Sequence, residues 1–333
     1  MIWDSGLLSK CRKRRCNDPF GEEEMKVVIT GPTGAIGMAL IQKYIEERTP
    51  VLAICHPGSK RIANIPVSPY VTIIECDLAN LHRAAEQCKE KYDVFYHFAW
   101  AGTVGDARND MYLQNQNVRY ALDAVQLAKK LGCHTFIGAG SQAEYGRVSG
   151  LLEADTPVHP ENGYGMAKLC AGQMTRQICE KMGMKHIWVR ILSVYGPYDG
   201  ENSMVSHTIK VLMSGQRASF TPGEQMWDYL YSDDAAEAFR KIAKSGTAGK
   251  TYVLGSGKCD RLKTYIEEIY QAVCEVTEHP GTLGIGDVPY AEKQVMYLGT
   301  DLTELTKDTG FVPGTSFGAG IRKTLAFHRG AMG

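Results

Sequence analysis

Val27-Val28-Ile29-Thr30-Gly31-Pro32-Thr33-Gly34-Ala35-Ile36-Gly37 is the stretch that decides the fold. A short apolar run reads as a strand buried on both faces, and it leads straight into three glycines spaced three apart. A strand that turns through glycines into a helix gathers backbone amides at the positive helix end. A pyrophosphate can approach there without meeting a Cβ. The spacing is the wider GxxGxxG form rather than GxGxxG. Gly31, Thr33, Gly34, Ala35, Ile36 and Gly37 are therefore candidate dinucleotide contacts.

Outward from this loop, β-rich runs alternate with helical segments. Strands are expected at 26–30, 51–55, 71–76, 93–97, 134–138 and 186–192, and helices at 35–48, 79–90, 107–131 and 162–183. That alternation predicts an α/β chain, a Rossmann-like doubly wound parallel sheet covered on both faces. After Pro197 the rhythm breaks. A helix at 203–214, strands at 217–220 and 229–232, a helix at 233–245 and a strand at 250–254 follow, then helices at 261–277, 301–308 and 316–328. The expected organisation is a dinucleotide-binding domain over 25–197, with 226–258 returning to it. A smaller C-terminal substrate-binding lobe takes 198–225 and 259–333.

Composition narrows the function classes. The 333 residues carry 37 basic and 37 acidic side chains, a balance that gives no support to a nucleic-acid or membrane partner. No apolar run approaches the roughly 18 residues of a spanning helix. The ten cysteines form no CxxC pair and the histidines no HxxxH, so reduced thiols in a cytoplasmic protein and no metal are expected. Residues 1–24 run from a basic cluster, Lys10 to Arg15, to Glu22-Glu23-Glu24. With no apolar segment after the basic run, they read as a disordered extension rather than a secretory leader.

The chemistry is suggested by Tyr164-Gly165-Met166-Ala167-Lys168. A tyrosine and a lysine four apart share one helix face, which can set an ammonium beside a phenol and lower its pKa from about 10. Ser141, between this helix and the glycine loop, supplies a hydroxyl. At the end of the second strand a carboxylate would bind the ribose hydroxyls of NAD and repel a 2′-phosphate. The chain instead reads Ala53-Ile54-Cys55-His56-Pro57-Gly58-Ser59-Lys60-Arg61. Ser59, Lys60 and Arg61 within reach of a phosphate favour NADP(H), with NAD(H) the alternative; the two cations also fit a plain solvated loop. After the third strand, Asp77 beside Leu78 can meet the adenine or cap the helix that follows.

With these motifs in place, the chain resembles the extended short-chain dehydrogenase/reductase family, in its NAD(P)-dependent sugar-nucleotide epimerase/dehydratase branch. Tyr96-His97-Phe98-Ala99-Trp100 resembles the family's HxAA strand end, and Asn117-Val118 its helix asparagine. Glu153 to Pro157, Pro160 and Tyr164 to Lys168 resemble its run into the catalytic helix. Arg190 to Pro197 is similar to its RxxNVYGP segment, and Trp227 to Asp234 to its RDFxxVDD segment. The resemblance implies that Tyr164 acts as general acid/base, that Lys168 lowers its pKa and holds the nicotinamide ribose, and that Ser141 binds the reacting oxygen. It also puts Ala99, Trp100, Ala101, Leu192 and Val194 beside the cofactor. It implies a nucleotide-activated sugar as substrate and a homodimer formed through helices 107–131 and 162–183.

Departures from the family pattern narrow the reaction. Its dehydratases carry an Asp-Glu pair after the hydroxyl residue, where this chain has Gln142 and Ala143; Glu144, in a strand-like stretch, is expected to point the other way. Without an acid after the second strand, a reductase of a nucleotide-linked 4-keto-6-deoxysugar fits better than a 4-epimerase, which remains the alternative. A dinucleotide sensor without turnover is the remoter one. Trp227 stands where the family commonly has a diphosphate-binding arginine. Ser141, Gln142, Asn202, His207, Gln225 and Trp227 are the candidate substrate contacts.

Overall fold

The runs Val27–Thr30, Val51–Cys55 and Val94–His97 are buried along their whole length, as a sheet covered on both faces requires. The computed structural model describes residues 25–332; the expected disordered extension 1–24 lies outside the described residues. The first half runs β1 (Val27–Thr30), α1 (Ala35–Glu46), β2 (Val51–Cys55), β3 (Val71–Glu75), α2 (Ala84–Gln87) and β4 (Val94–His97). Then come α3 (Met111–Lys130), β5 (Thr135–Ser141), β6 (Leu151–Leu152), α4 (Gly163–Lys181), β7 (Lys185–Ile191) and β8 (Ser193–Tyr195). The remainder begins with α5 (Met204–Met213), β9 (Arg217–Phe220), β10 (Met226–Tyr231), α6 (Ser232–Ser245), β11 (Thr251–Leu254) and β12 (Cys259–Arg261). It closes with α7 (Leu262–Cys274), β13 (Thr282–Ile285), β14 (Tyr297–Thr300), α8 (Thr303–Thr309) and α9 (Phe317–Met332).

Seven strands form one parallel sheet in the order β3-β2-β1-β4-β5-β7-β11. From β1 the chain winds outward to β3, and from β4 outward the other way to β11. The order reverses between β1 and β4, which opens a crevice at their carboxyl ends. On one face α1 and α6 pack Ile41, Tyr44, Phe239 and Ile242 over the strands. On the other, α3 and α4 do so with Val125, Leu127 and Cys179, while Ala121, Ala167 and Ala171 close around Trp188. The architecture is the α/β Rossmann-like sheet expected.

Beyond it, β12-β10-β14-β6 form a second sheet, with β8 also paired to β10, and β9 pairs β13. A separate core of Tyr195, Val205, Ile209, Leu212, Ile269, Val273, Ile321 and Leu325 joins α5, α7 and α9. No described helix is long and apolar enough to cross a membrane.

Two expectations need correction, and three short strands were not expected. The helix expected at 79–90 is a 3-10 segment, Leu78–Arg83, in which Asn80 leaves helical geometry, followed by the single turn of α2. Only Leu81 and Ala84 in those two elements are buried, too few to anchor a longer helix. Of the segment 226–258, α6 and β11 lie on the large sheet but β10 does not. The β7 edge is taken by β11, and β10 pairs with β8, β12 and β14 instead. Finally, β6, β8 and β12 are two or three residues long, too short for any periodicity to register.

Candidate active site

The site begins where β1 ends. Gly31 has φ +69°, and a Cβ there would stand 2.7 Å from the amide nitrogen of Ala99, so the glycine lets the first turn press against the chain leaving β4. Gly34 is the N-cap of α1, with no side chain capping the free amides and no acidic residue in the first turn. A Cβ at Gly34 would meet only the Gly31 carbonyl, at 3.8 Å. Uncapped amides beside open space suit an anionic group. Thr33, Ala35, Ile36 and Gly37 surround this point, and the nominated glycine-loop residues are brought together.

Across the crevice a cleft of about 210 Å³ is lined by Ile36, Phe98, Trp100, Thr103, Ala139, Gly140, Ser141, Tyr164, Lys168, Ile191 and Leu192. It gathers Ser141, Tyr164 and Lys168 from the end of β5 and the start of α4. The first turn of α4 fits only because both neighbours of Tyr164 are glycine. A Cβ on Gly165 would stand 2.2 Å from the Ala143 carbonyl, and one on Gly163 would stand 3.0 Å from that of Arg108. Tyr164 is thereby wedged between the Ser141 turn and the 105–109 turn. Burial pushes its pKa up, while the Ser141 hydroxyl and the Arg108 charge pull it back.

Lys168 is buried, and its Nζ donates to the Ala139 carbonyl at 2.7 Å. Burial lowers its pKa to about 7, against the opposing pull of Glu144. Its ammonium lies 3.8 Å from the Trp100 ring centre and 5.7 Å from that of Tyr164. The helical spacing suggested Lys168 as the cation beside the phenol. The cation nearer the ring is Arg108, with its guanidinium carbon 4.3 Å from the ring centre. Sequence reasoning missed it because Arg108 reaches Tyr164 only through the tertiary fold.

The segment between β4 and α3 is fastened to α3. Gln114 accepts from the Trp100 indole at 2.9 Å and donates to the carbonyls of Gly102 and Ala107 at 2.8 and 2.9 Å. Asn117 clasps both backbone groups of Ala101, at 3.0 and 2.9 Å. Of the nominated Ala99, Trp100 and Ala101, Trp100 lines the cleft, and Ala99 lies against the Gly31 turn. Leu192 lines the cleft, while Val194 packs against the core of the large sheet.

Glu144 corrects a second expectation. It lies not in a strand but in a 3-10 turn, Gln142–Glu144, for which Ser141 is the N-cap. Its carboxylate is fully buried and accepts from the Ser141 amide at 2.8 Å, the Trp188 indole at 3.0 Å and Arg190 Nε at 2.8 Å. Ser141 Oγ in turn accepts from the Ala143 amide at 3.2 Å. Ser141-x-x-Glu144 is a capping-box spacing, so this role was readable in the sequence.

The remaining nominees are scattered. Ser59 begins the 3-10 turn Lys60–Asn64; Lys60 is exposed, and Arg61 donates to the Tyr198 carbonyl. Beside them Glu75, from the end of β3, accepts from the Gly58 amide at 2.8 Å, an acid that sequence order had hidden. Asp77 caps the following turn through the Ala79 amide at 3.1 Å, and Leu78 packs into the core. Gln142 is half-buried at the head of its turn. In the lobe, Asn202 and His207 are exposed. Gln225 is buried and donates to Thr221 at 3.2 Å, while the Trp227 indole donates to Ser193 Oγ at 2.8 Å. Among the described residues no three His, Cys, Asp or Glu side chains gather as a metal site would need.

Comparison with known proteins identifies the family and the fold. The model of the NAD dependent epimerase/dehydratase family matches residues 27–255, and the chain belongs to that family. The chain is 21% identical to a dTDP-glucose 4,6-dehydratase of Neisseria meningitidis, over 91% of this chain and 93% of that protein. Its fold is similar to that of a UDP-N-acetylglucosamine 4-epimerase from Methanobrevibacter ruminantium in complex with UDP-N-acetylmuramic acid (TM-score 0.81, 21% identity, 93% and 99% of the two chains). It is similar too to a Thermus thermophilus UDP-glucose 4-epimerase complexed with NAD (TM-score 0.81, 20% identity, 92% and 100%).

Proposed function

We propose that this member of the NAD dependent epimerase/dehydratase family is an oxidoreductase that reduces a nucleotide-linked 4-keto-6-deoxysugar at C4. The carrying observation is Tyr164, set beside Ser141 in a cleft at the β1/β4 crevice with no carboxylate among the described residues lining it. Glu144, the carboxylate nearest in sequence, is held by Arg190 and Trp188. That leaves a proton carrier and a hydroxyl for the reacting oxygen, the set a carbonyl reduction needs, and no acid pair for elimination. A bound nicotinamide would supply the hydride. Tyr164 would pass a proton to the developing alkoxide, Ser141 would hold that oxygen, and Lys168 would hold the ribose. The lobe, 198–225 and 259–333, would take the nucleotide.

On the cofactor, Gly58 and Arg61 are already engaged by Glu75 and Tyr198, which weakens the phosphate reading of the Ser59-Lys60-Arg61 loop. NAD(H) is better supported than NADP(H). This same point favours the 4-epimerase as second reading, since an epimerase returns the hydride it takes and needs no reductant supply. A homodimer fits the exposed Tyr112, Met166 and Met174 on α3 and α4.

The test is a panel of 4-keto sugar nucleotides with NADH and with NADPH, followed by loss of the reduced nicotinamide's absorbance. Consumption of NADH supports the main reading, and faster consumption of NADPH overturns the cofactor assignment. No consumption, with NAD retained on the purified chain and interconversion of UDP-glucose and UDP-galactose, supports the epimerase.

A further inference from the structure

We propose that Glu75 makes this chain select NAD(H) over NADP(H), its carboxylate holding the place in the loop after β2 that a 2′-phosphate would need. The proposal deepens the NAD(H) reading and rests on a dinucleotide lying across the β1/β4 crevice.

The end of β2 carries no acid of its own, and the strand register brings one to it. Thr30 pairs with Ile54, and Cys55 pairs with Glu75. Gly31, Cys55 and Glu75 therefore stand in neighbouring positions across the carboxyl end of the sheet. Two strand spacings, about 10 Å in all, separate Glu75 from the glycine turn. A dinucleotide with its pyrophosphate at the start of α1 lays its adenosine ribose over the end of β2. A phosphate on the 2′-hydroxyl of that ribose would fall on the loop His56 to Arg61.

One anion-binding group of that loop is already taken. Gly58 has φ +69°, and a Cβ there would meet nothing within 4 Å, so the loop tip is open to a ligand. A backbone amide in such a turn suits a phosphate oxygen. Instead it donates to Glu75 Oε2 at 2.8 Å. The Glu75 charge is felt at β2 itself: burial, and then this carboxylate, push the Cys55 thiol up to about 11.

The surrounding groups leave Glu75 as the one that decides. Arg61 is turned to the Tyr198 carbonyl, and Asp77 to the Ala79 amide. The Ser59 hydroxyl caps no amide, and the Lys60 ammonium has no partner among the described residues. The loop thus keeps a hydroxyl and a cation that could hold a phosphate, with an internal anion set against one. A 2′-phosphate would meet a like charge and an occupied amide, whereas the neutral ribose hydroxyl of NAD can donate to a carboxylate.

The test is direct binding, with NADH and NADPH titrated into the parent chain, Glu75→Gln and Glu75→Ala and read by tryptophan fluorescence. The parent should bind NADH more tightly than NADPH by about tenfold or more. Glu75→Gln keeps an acceptor for the Gly58 amide but loses the charge, and should bind NADPH about tenfold more tightly than the parent does. Glu75→Ala, which also frees the amide, should gain at least as much. Affinity for NADH should stay within about threefold in both variants. Unchanged NADPH affinity in both variants overturns the proposal. So does an equal gain for NADH, or a parent that already binds the two alike. In each of those outcomes the crevice still holds a dinucleotide; a parent that binds neither would remove that reading and the proposal together.

Discussion

At the junction of β5 and α4, each polar group is held by several contacts, whereas of the nominated substrate contacts beyond β8, Asn202 and His207 are exposed and Gln225 and Trp227 each donate one side-chain hydrogen bond. Ser141 is fixed from both ends of a capping box, Tyr164 sits between two glycines pressed on backbone, and Lys168 is buried on a carbonyl. Asn202 and His207 point to solvent, and Trp227 gives its indole hydrogen to Ser193. The fold sets the side chains of the first region and leaves Asn202 and His207 in the second unconstrained.

Substitutions can break or sharpen that contrast. Tyr164→Phe should lower turnover by about a thousandfold while dinucleotide binding, read by tryptophan fluorescence, stays nearly unchanged. A variant that still turns over normally would remove the phenol from the mechanism. Glu144→Ala leaves Arg190 buried without its partner and should cost roughly 3–5 kcal/mol in urea unfolding. Removing Glu161 from the exposed pair with Arg147 should change almost nothing by the same measurement.

Lys168→Met tests burial by its pH dependence. The folded pKa of about 7 lies below the ordinary lysine value. Between the two, the unfolded chain binds a proton that the folded chain does not, so parent stability rises with pH across that window. Below it both states are protonated and the burial cost is full. The methionine variant should be the more stable at pH 6, with its advantage shrinking by on the order of 1 kcal/mol per pH unit above 7. Parallel stability curves would contradict a buried ammonium. Trp227→Phe removes one hydrogen bond and should cost about 1 kcal/mol. Asn202→Ala and His207→Ala should leave stability within about 0.5 kcal/mol, and any larger loss would mean the lobe is more constrained than its geometry suggests.

What could be read from sequence follows the same division. The fully buried strands and the glycine turn announced the sheet because backbone hydrogen bonding and apolar burial leave a local trace. Ser141, Tyr164 and Lys168 were legible through spacing on a single helix and strand end. Glu144 carried a local signal too, the Ser-x-x-Glu box, which a strand reading passed over. Arg108 and Glu75 left no local trace: each reaches its partner across the fold, from the 105–109 turn to α4 and from β3 to the loop after β2. Outside the large sheet, β6, β8 and β12 are two or three residues long and left no period to read.

The central claim, that a dinucleotide lies across the β1/β4 crevice with its nicotinamide beside Tyr164, is tested most directly by a crystal structure grown with NAD. The account predicts the pyrophosphate on the free amides at the start of α1, the ribose at Lys168 and the ring facing Tyr164 and Leu192. A dinucleotide bound elsewhere at saturating NAD would contradict it.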